Sequence, residues 1–151
     1  MNIMPHLINA ITKQPELVIH TDGGSRGNPG PSAIGVVINT PDGKHLESFG
    51  KYIGETTNNQ AEYRAVIEAF KAIKKYQPQR LQFFLDSELV VKQLNGVYRM
   101  KNPDLTPLFH EIKSLSADYE VSFEHVLRIK NHLADIEVNK ALDEVASSSA
   151  K

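Results

Sequence analysis

The sequence predicts an α/β domain in which helices flank a five-stranded mixed sheet. Two observations lead to this prediction. A chain of 151 residues is long enough to bury one core but too short for two. Its apolar spacing also changes between the short period of strands and the 3.6-residue period of helices. The predicted order is three strands, a helix, a strand, two helices, a strand and a final helix.

The first three strands are predicted over residues 17–22, 33–40 and 44–53, and we expect them to form an antiparallel meander. The first strand is rich in β-branched residues and ends at Asp22, where a glycine-rich turn begins. The sequence Pro41-Asp42-Gly43 is typical of a hairpin turn. Asp22 is therefore expected at the carboxyl end of a strand.

The next element is a helix that starts at Asn59. Its apolar residues recur at spacings of three and four, at Tyr63, Val66, Phe70 and Ile73. Residues 80–86 then form a compact apolar run, which suits a strand covered on both faces. This run ends at Asp86, so a second strand end carries an aspartate.

The last part of the chain contains the remaining four elements. Helices are predicted over residues 87–95 and 104–116, and a strand over residues 119–127. Asn131 is expected to cap the final helix.

The chain is divided into an N-terminal extension of residues 1–15, a domain of residues 16–147 and a tail of residues 148–151. Its start lacks the charged and apolar regions of a signal peptide, so a cytoplasmic location is expected. A lone domain without a heptad repeat is expected to be a monomer.

The composition excludes several classes of protein. No cysteine is present, which excludes a disulfide framework, a zinc ribbon and a thiol nucleophile. The formal net charge of -1 argues against binding nucleic acid through bulk positive charge. No apolar run approaches the roughly 18 residues that a membrane span needs, so no membrane partner is expected.

Four acids stand where predicted elements meet. Asp22 and Asp86 end strands, whereas Glu62 and Asp135 lie in the first turns of helices. Ligands of α/β folds bind at such strand ends and at the helix starts beside them. A cluster of carboxylates supplies the hard oxygen ligands that a pair of Mg²⁺ ions needs.

Each acid also has a purely structural explanation. Glu62 has the spacing of a capping box with Asn59, and Asp86 could cap the helix that begins at Ser87. Asp135 could only complement the dipole of its helix, and Asp22 could only close a glycine turn.

Four sequence segments carry a family resemblance. They are Thr21-Asp22-Gly23-Gly24-Ser25-Arg26-Gly27-Asn28-Pro29-Gly30, Thr57-Asn58-Asn59-Gln60-Ala61-Glu62, Leu85-Asp86-Ser87 and His125-Val126-Leu127-Arg128-Ile129-Lys130-Asn131-His132-Leu133-Ala134-Asp135. In this order they resemble the motifs of ribonuclease HI over residues 17–145. The resemblance implies a ribonuclease H-like fold. It also implies that the catalytic and metal-binding carboxylates are Asp22, Glu62, Asp86 and Asp135.

The resemblance further implies hydrolysis of the RNA strand of RNA/DNA hybrids with two Mg²⁺ ions, or with Mn²⁺ in their place. The products would carry 5′-phosphate and 3′-hydroxyl ends, and double-stranded RNA is a further candidate substrate. A catalytically silent nucleic-acid-binding module and a DNA-cutting nuclease of the same fold are the alternatives.

Nine residues are predicted to contact the substrate because they fall in the matching motifs. They are Gly23, Gly24, Ser25, Gly27, Asn28, Thr57, Asn58, Asn59 and Gln60. The glycines would let the backbone approach closely, and the amides could bond to 2′-hydroxyls in the minor groove of the hybrid. Thr57 matches a position that binds a phosphate of the DNA strand. Asn59 has an alternative role as a helix cap.

Two departures from the family pattern are visible. The connection of residues 96–103 is too short for the basic, tryptophan-containing protrusion of many bacterial members, so weaker hybrid binding with a smaller salt dependence is expected. The family's loop histidine has no clear counterpart. His132 is the nearest by position, although it could be an ordinary surface histidine, and Arg128 could reach a phosphate.

Overall fold

Five strands form one mixed sheet in the computed structural model, which describes residues 13–149. The strands are β1 (Glu16–Ser25), β2 (Gly30–Asn39), β3 (His45–Thr56), β4 (Arg80–Leu85) and β5 (Glu120–His125). Their order across the sheet is β3-β2-β1-β4-β5. The first three strands are antiparallel, whereas β4 pairs in parallel with both of its neighbours. The predicted mixed sheet and its antiparallel first half are confirmed.

Four α-helices accompany the sheet over the described residues, in the predicted order. They are α1 (Asn58–Ile73), α2 (Glu88–Leu94), α3 (Thr106–Ser116) and α4 (His132–Ser149). Short 3₁₀ turns follow α1 at Lys74–Tyr76 and precede α4 at Arg128–Asn131. No helix of the described part is long and apolar enough to cross a membrane.

The helices form two unequal layers. The first three pack on one sheet face, where Leu17, Ile34, Phe70 and Phe83 belong to a large apolar core. On the other face α4 covers mainly β2 and β3, and its apolar residues form a small separate cluster with Ala33. The connection between α2 and α3, residues 95–105, contains no helix.

The strands extend further than predicted. Antiparallel pairing of β1 with β2 continues through the glycines to Ser25, whereas parallel pairing of β1 with β4 is recorded only as far as His20 and Phe84. Asp22 therefore lies inside β1 rather than at its end. It nevertheless lies beyond His20, the last residue of β1 that pairs with β4, just as Asp86 lies beyond Phe84. The two acids therefore occupy equivalent positions relative to neighbouring strands.

Two helices are capped by other residues than the sequence suggested. Thr57, not Asn59, caps α1, and its capping-box partner is Gln60 rather than Glu62. Ser87, not Asp86, caps α2 by accepting a hydrogen bond from the backbone N–H of Val90. Helix capping therefore explains the position of neither Glu62 nor Asp86.

Two glycines bring α4 unusually close to the sheet. A Cβ atom placed on Gly35 of β2 would lie 2.1 Å from the carbonyl oxygen of Ala134, and one on Gly50 of β3 would lie 2.2 Å from that of Glu137. Only hydrogen fits at these two positions. The first two turns of α4, which carry Asp135, therefore lie directly on the backbone of the sheet.

The predicted domain boundaries remain predictions. Residues 1–12 of the predicted N-terminal extension and the last two residues lie outside the described part. Within that part, the backbone of Gln14 donates to the carbonyl of Tyr76, and that of Pro15 accepts from Gln79 and Arg80. The helix α4 ends at Ser149, inside the predicted tail.

Candidate active site

The four predicted acids line one groove, a cavity of about 360 Å³. Four different elements carry them: Asp22 lies on β1, Glu62 on α1 and Asp135 on α4, and Asp86 follows β4. Carboxylate oxygens of Asp22, Glu62 and Asp86 lie within 4.8 Å of one another. The fold thus concentrates several negative charges in a small volume.

A glycine brings the first two acids together. A Cβ atom on Gly23 would lie 2.2 Å from the backbone carbonyl carbon of Ala61 and 2.4 Å from the nitrogen of Glu62. The start of α1 therefore rests on β1 at the residue after Asp22. Asp22 and Glu62 are only 7% and 8% exposed as a result.

Burial and mutual repulsion oppose ionisation of these two acids. Burial raises the pKa of Asp22, and the negative charges of Asp86 and Asp135 raise it further, to about 7. Burial also raises the pKa of Glu62 well above its usual range, and the charges of Asp22 and Asp86 act in the same direction. Both carboxyls are therefore biased toward the protonated form until a cation offsets their charge.

The donor set fits a divalent metal ion. Among the described residues, no group donates a hydrogen bond to Oε2 of Glu62, although this oxygen is buried. A buried acceptor without a partner costs free energy unless a ligand satisfies it. Carboxylate oxygens are the ligands that Mg²⁺ prefers. The residues present are therefore compatible with a hard cation in the groove.

Asn131 supports this cluster and was assigned the wrong role by the sequence. It is almost completely buried in the turn before α4. Its Nδ2 donates to the carbonyl of Thr21 at 2.9 Å and to Oδ2 of Asp86 at 3.1 Å. Its Oδ1 accepts no hydrogen bond from a described residue, so the side chain does not cap α4 as the sequence predicted. It joins β1 to the acid after β4 instead.

Two asparagines of the predicted substrate surface hold each other in place. Oδ1 of Asn58 accepts from the backbone of Ser25 at 2.8 Å, and Oδ1 of Asn28 accepts from the backbone of Asn58 at 3.0 Å. This clip ties the turn after β1 to the start of α1. No described residue accepts a hydrogen bond from the amide nitrogen of either asparagine, so both remain available as donors.

Most of the residues that are predicted to contact the substrate line one or both of two adjacent cavities. Gly23, Gly24, Ser25, Asn58 and Asn59 line the groove of the acids. A second cavity of about 380 Å³ is lined by Asn28, Thr57, Asn58, Asn59, Gln60, Asn102, Asp104 and Leu105. Asn58 and Asn59 thus form the boundary between the cavities. Gly27 lies in the turn after β1 with φ 93°, in the left-handed region, and lines neither cavity.

The two auxiliary candidates are placed differently. Arg128 lines the groove of the acids. His132 instead lines a separate cavity beside His20, and its Nδ1 lies 3.1 Å from the carbonyl oxygen of Ile129. The geometry therefore associates Arg128 with the acids and leaves His132 apart from them.

Comparison with known proteins adds to this geometry. A family model described as reverse transcriptase-like matches residues 20–141. Ribonuclease HI of Halobacterium salinarum is 41% identical over 124 residues, which cover 82% of this chain and 62% of that protein. The crystal structure of RNase H1 from that archaeon matches with a TM-score of 0.83 at 39% identity, covering 85% of this chain and 98% of the other.

This chain belongs to the type 1 ribonuclease H family. Another ribonuclease H of known structure, LC11-RNase H1 isolated from compost, was solved in complex with an RNA/DNA hybrid. It matches with a TM-score of 0.83 at 41% identity and covers 86% of this chain and 99% of the other.

Some relatives of this chain are much longer. A bifunctional protein of Mycobacterium tuberculosis is 39% identical over 137 residues, which are 89% of this chain. The chain spans 38% of the length of that protein. The similarity therefore concerns one domain of the mycobacterial protein.

Proposed function

We propose that this chain hydrolyses the RNA strand of RNA/DNA hybrids. The observation that carries the proposal is the groove in which four acids from four elements meet, with a buried oxygen of Glu62 left without a donor. A related ribonuclease H solved with a hybrid supports the choice of substrate.

We propose that Asp22, Glu62, Asp86 and Asp135 hold two Mg²⁺ ions, or Mn²⁺ in their place. When bound, such ions supply positive charge that activates water and stabilises the phosphate oxygens during hydrolysis. The chemistry cleaves the bond between phosphorus and the 3′-oxygen. Water adds to phosphorus, and the leaving oxygen takes up a proton, so the products carry 5′-phosphate and 3′-hydroxyl ends.

The residues of the chain orient the substrate and set the protonation of the site. The free amide nitrogens of Asn28 and Asn58 are donors, which suits the 2′-hydroxyls and base-edge acceptors of a wide minor groove. Protons on Asp22 and Glu62 compete with cations for the same oxygens. Cleavage should therefore require more metal at lower pH.

The direct test is cleavage of a labelled RNA/DNA hybrid, beside single-stranded RNA, double-stranded RNA and double-stranded DNA, with Mg²⁺, with Mn²⁺ and with chelator. We expect metal-dependent cutting of the RNA strand of the hybrid. Cutting of DNA instead would indicate a DNA nuclease of the same fold. Binding of the hybrid without cutting under any metal would indicate a silent binding module.

A nearly isosteric variant tests the acids themselves. Asp86→Asn should keep the fold, because Ser87 rather than Asp86 caps α2. It should lower kcat at least a hundredfold, since one carboxylate of the metal site is lost. Asp118→Asn, at an exposed acid before β5, is the matched control and should cut at the parental rate. Equal turnover in the two variants would remove Asp86 from the site.

A further inference from the structure

Arg26 lies at the edge of the groove, and the proposed function does not use it. It follows β1 in the glycine-rich turn and lines the same groove as the four acids. Its guanidinium donates to Oδ1 of Asp143 at 2.6 Å and to Oδ1 of Asn139 at 3.3 Å, both on α4.

The charge of the groove creates a need for such a residue. Four carboxylates repel the phosphates of a nucleic acid, and bound metal ions offset that repulsion only close to the ions. Among the described residues that line the groove, the cations are Arg26 and Arg128. Arg128 forms no ion pair with any described residue, whereas Arg26 forms one with Asp143.

The pair of Arg26 with Asp143 is easy to break. The two side chains are 43% and 68% exposed, and ion pairs between exposed groups shift an equilibrium by only about fivefold or less. A phosphate can accept two parallel hydrogen bonds from a guanidinium, which makes it a stronger partner for arginine than an exposed carboxylate that accepts one.

We propose that Arg26 binds a backbone phosphate of the nucleic-acid substrate and that Asp143 holds the guanidinium only while the groove is empty. This inference rests on the proposed function. Substrate binding exchanges Asp143 for a phosphate, and Asp143 thereby weakens binding by competing for Arg26. The exchange makes and breaks hydrogen bonds only.

A different role for Arg26 is purely structural. Asn139, which accepts from Arg26, donates to the backbone carbonyl of Asp135 at 3.0 Å. Arg26 could therefore act as a strut that positions Asp135 through Asn139. A strut would alter kcat, but it would leave the number of phosphates contacted, and hence the salt dependence of binding, unchanged.

The experiment measures kcat and KM for hybrid cleavage across a series of NaCl concentrations at fixed Mg²⁺, with hybrid binding followed by fluorescence anisotropy in parallel. In Arg26→Ala, KM at low salt should rise about five- to tenfold, and the slope of log KM against log salt should fall by about one. kcat should stay within about twofold. Arg26→Lys should keep part of the slope, because it keeps the charge and loses the planar fork.

The opposing variant is Asp143→Asn, which removes the negative charge that pairs with Arg26. Its KM at low salt should fall about two- to threefold. Lys71→Ala is the matched control, since it removes a positive charge that pairs with Glu68 on α1 and does not line the groove. Its salt slope should equal that of the parent.

The outcomes separate the two proposals. An unchanged slope in Arg26→Ala overturns the phosphate contact, and a lowered kcat beside it indicates the strut. If the parent binds hybrid without cutting it, the hydrolytic function fails while the anisotropy slopes still decide the role of Arg26. If the parent neither binds nor cuts hybrid, both proposals fail.

Discussion

When no metal is bound, the ionised carboxyl of Asp22 lowers the free energy of unfolding of the chain. It is buried, and the charges of Asp86 and Asp135 face it. Its pKa rises from 3.8 to about 7 on folding. The folded chain therefore holds a proton that the unfolded chain releases between these two pH values, and the free energy of unfolding falls as pH rises through that window.

This argument predicts the behaviour of Asp22→Asn in chelator. The parent should lose roughly 4 kcal/mol of stability between pH 4 and pH 8 relative to the variant, because the amide has no charge to bury. Urea unfolding of both proteins at several pH values measures the difference, and the comparison cancels the titration of the histidines. Parallel pH profiles for the two proteins would contradict the raised pKa. Mg²⁺ should stabilise the parent at pH 8 more than the variant.

Asn131 predicts a second single-residue effect. Asn131→Ala removes the donor to the carbonyl of Thr21 and to Asp86, so it should cost about 1–3 kcal/mol of stability and lower kcat about tenfold through a misplaced carboxylate.

Asn95→Ala is the matched control for this variant. Asn95 also donates to a backbone carbonyl, that of Phe123, at 2.9 Å, but it touches none of the four acids. It should lose stability and keep kcat. Urea unfolding and cleavage rates at saturating hybrid give both quantities. Equal kcat values in the two variants would show that Asn131 does not orient Asp86.

The sequence predicted which acids converge but not what surrounds them. Asp86 could be found because the end of its strand is visible in a local pattern. Asp22 could be found because a glycine-rich segment follows it, although β1 continues through that segment. The bond from Asn131 to Thr21 joins residues 110 positions apart, and no local pattern predicts it. Arg26 stood in a recognised motif, yet its pairing with Asp143 depends on where α4 packs.

The order of the helices and strands could be predicted from the sequence, but the residues at which they begin and end were predicted less well. Helix α1 begins within a run of four polar residues, Thr56 to Asn59, any of which can cap a helix. The clip between Asn28 and Asn58 fixes the turn against α1, and Thr57 is left to cap it. Likewise β1 continues through glycines of low strand propensity because β2 offers partners for their backbone.

The packing of α4 on the sheet predicts the effect of Gly35→Ala. The added methyl would meet the carbonyl oxygen of Ala134, so the helix must move and carry Asp135 with it. We expect a loss of about 1–3 kcal/mol and at least a tenfold fall in kcat. Thermal unfolding and cleavage rates measure both.

Val37→Ala is the control for this element. Val37 is buried on the same face of β2, and its truncation should leave a cavity without displacing the helix. Its stability should fall by a similar amount while kcat stays near that of the parent. If Gly35→Ala cut as fast as Val37→Ala, the close approach would not position Asp135.

At the scale of the whole molecule, the two helical layers differ in how firmly they are held. The layer of α1 to α3 shares one large core with the sheet, whereas α4 packs through the small cluster of Ala33, Val138, Ala141 and Leu142. Hydrogen exchange should therefore show α4 opening at a lower free energy than α1. Mg²⁺ should slow exchange in the first turns of α4. Equal protection of α1 and α4 would contradict this difference.

The location of Asp135 on α4 affects when the site can form during synthesis on the ribosome. Three of the four acids belong to elements that emerge from the ribosome before residue 90, and the fourth stands on the last helix of the described chain. Domains fold during synthesis as their segments become available. The acidic groove cannot be complete until α4 has left the exit tunnel and packed on Gly35 and Gly50, so a nascent chain that still holds α4 in the tunnel lacks the fourth acid of the groove.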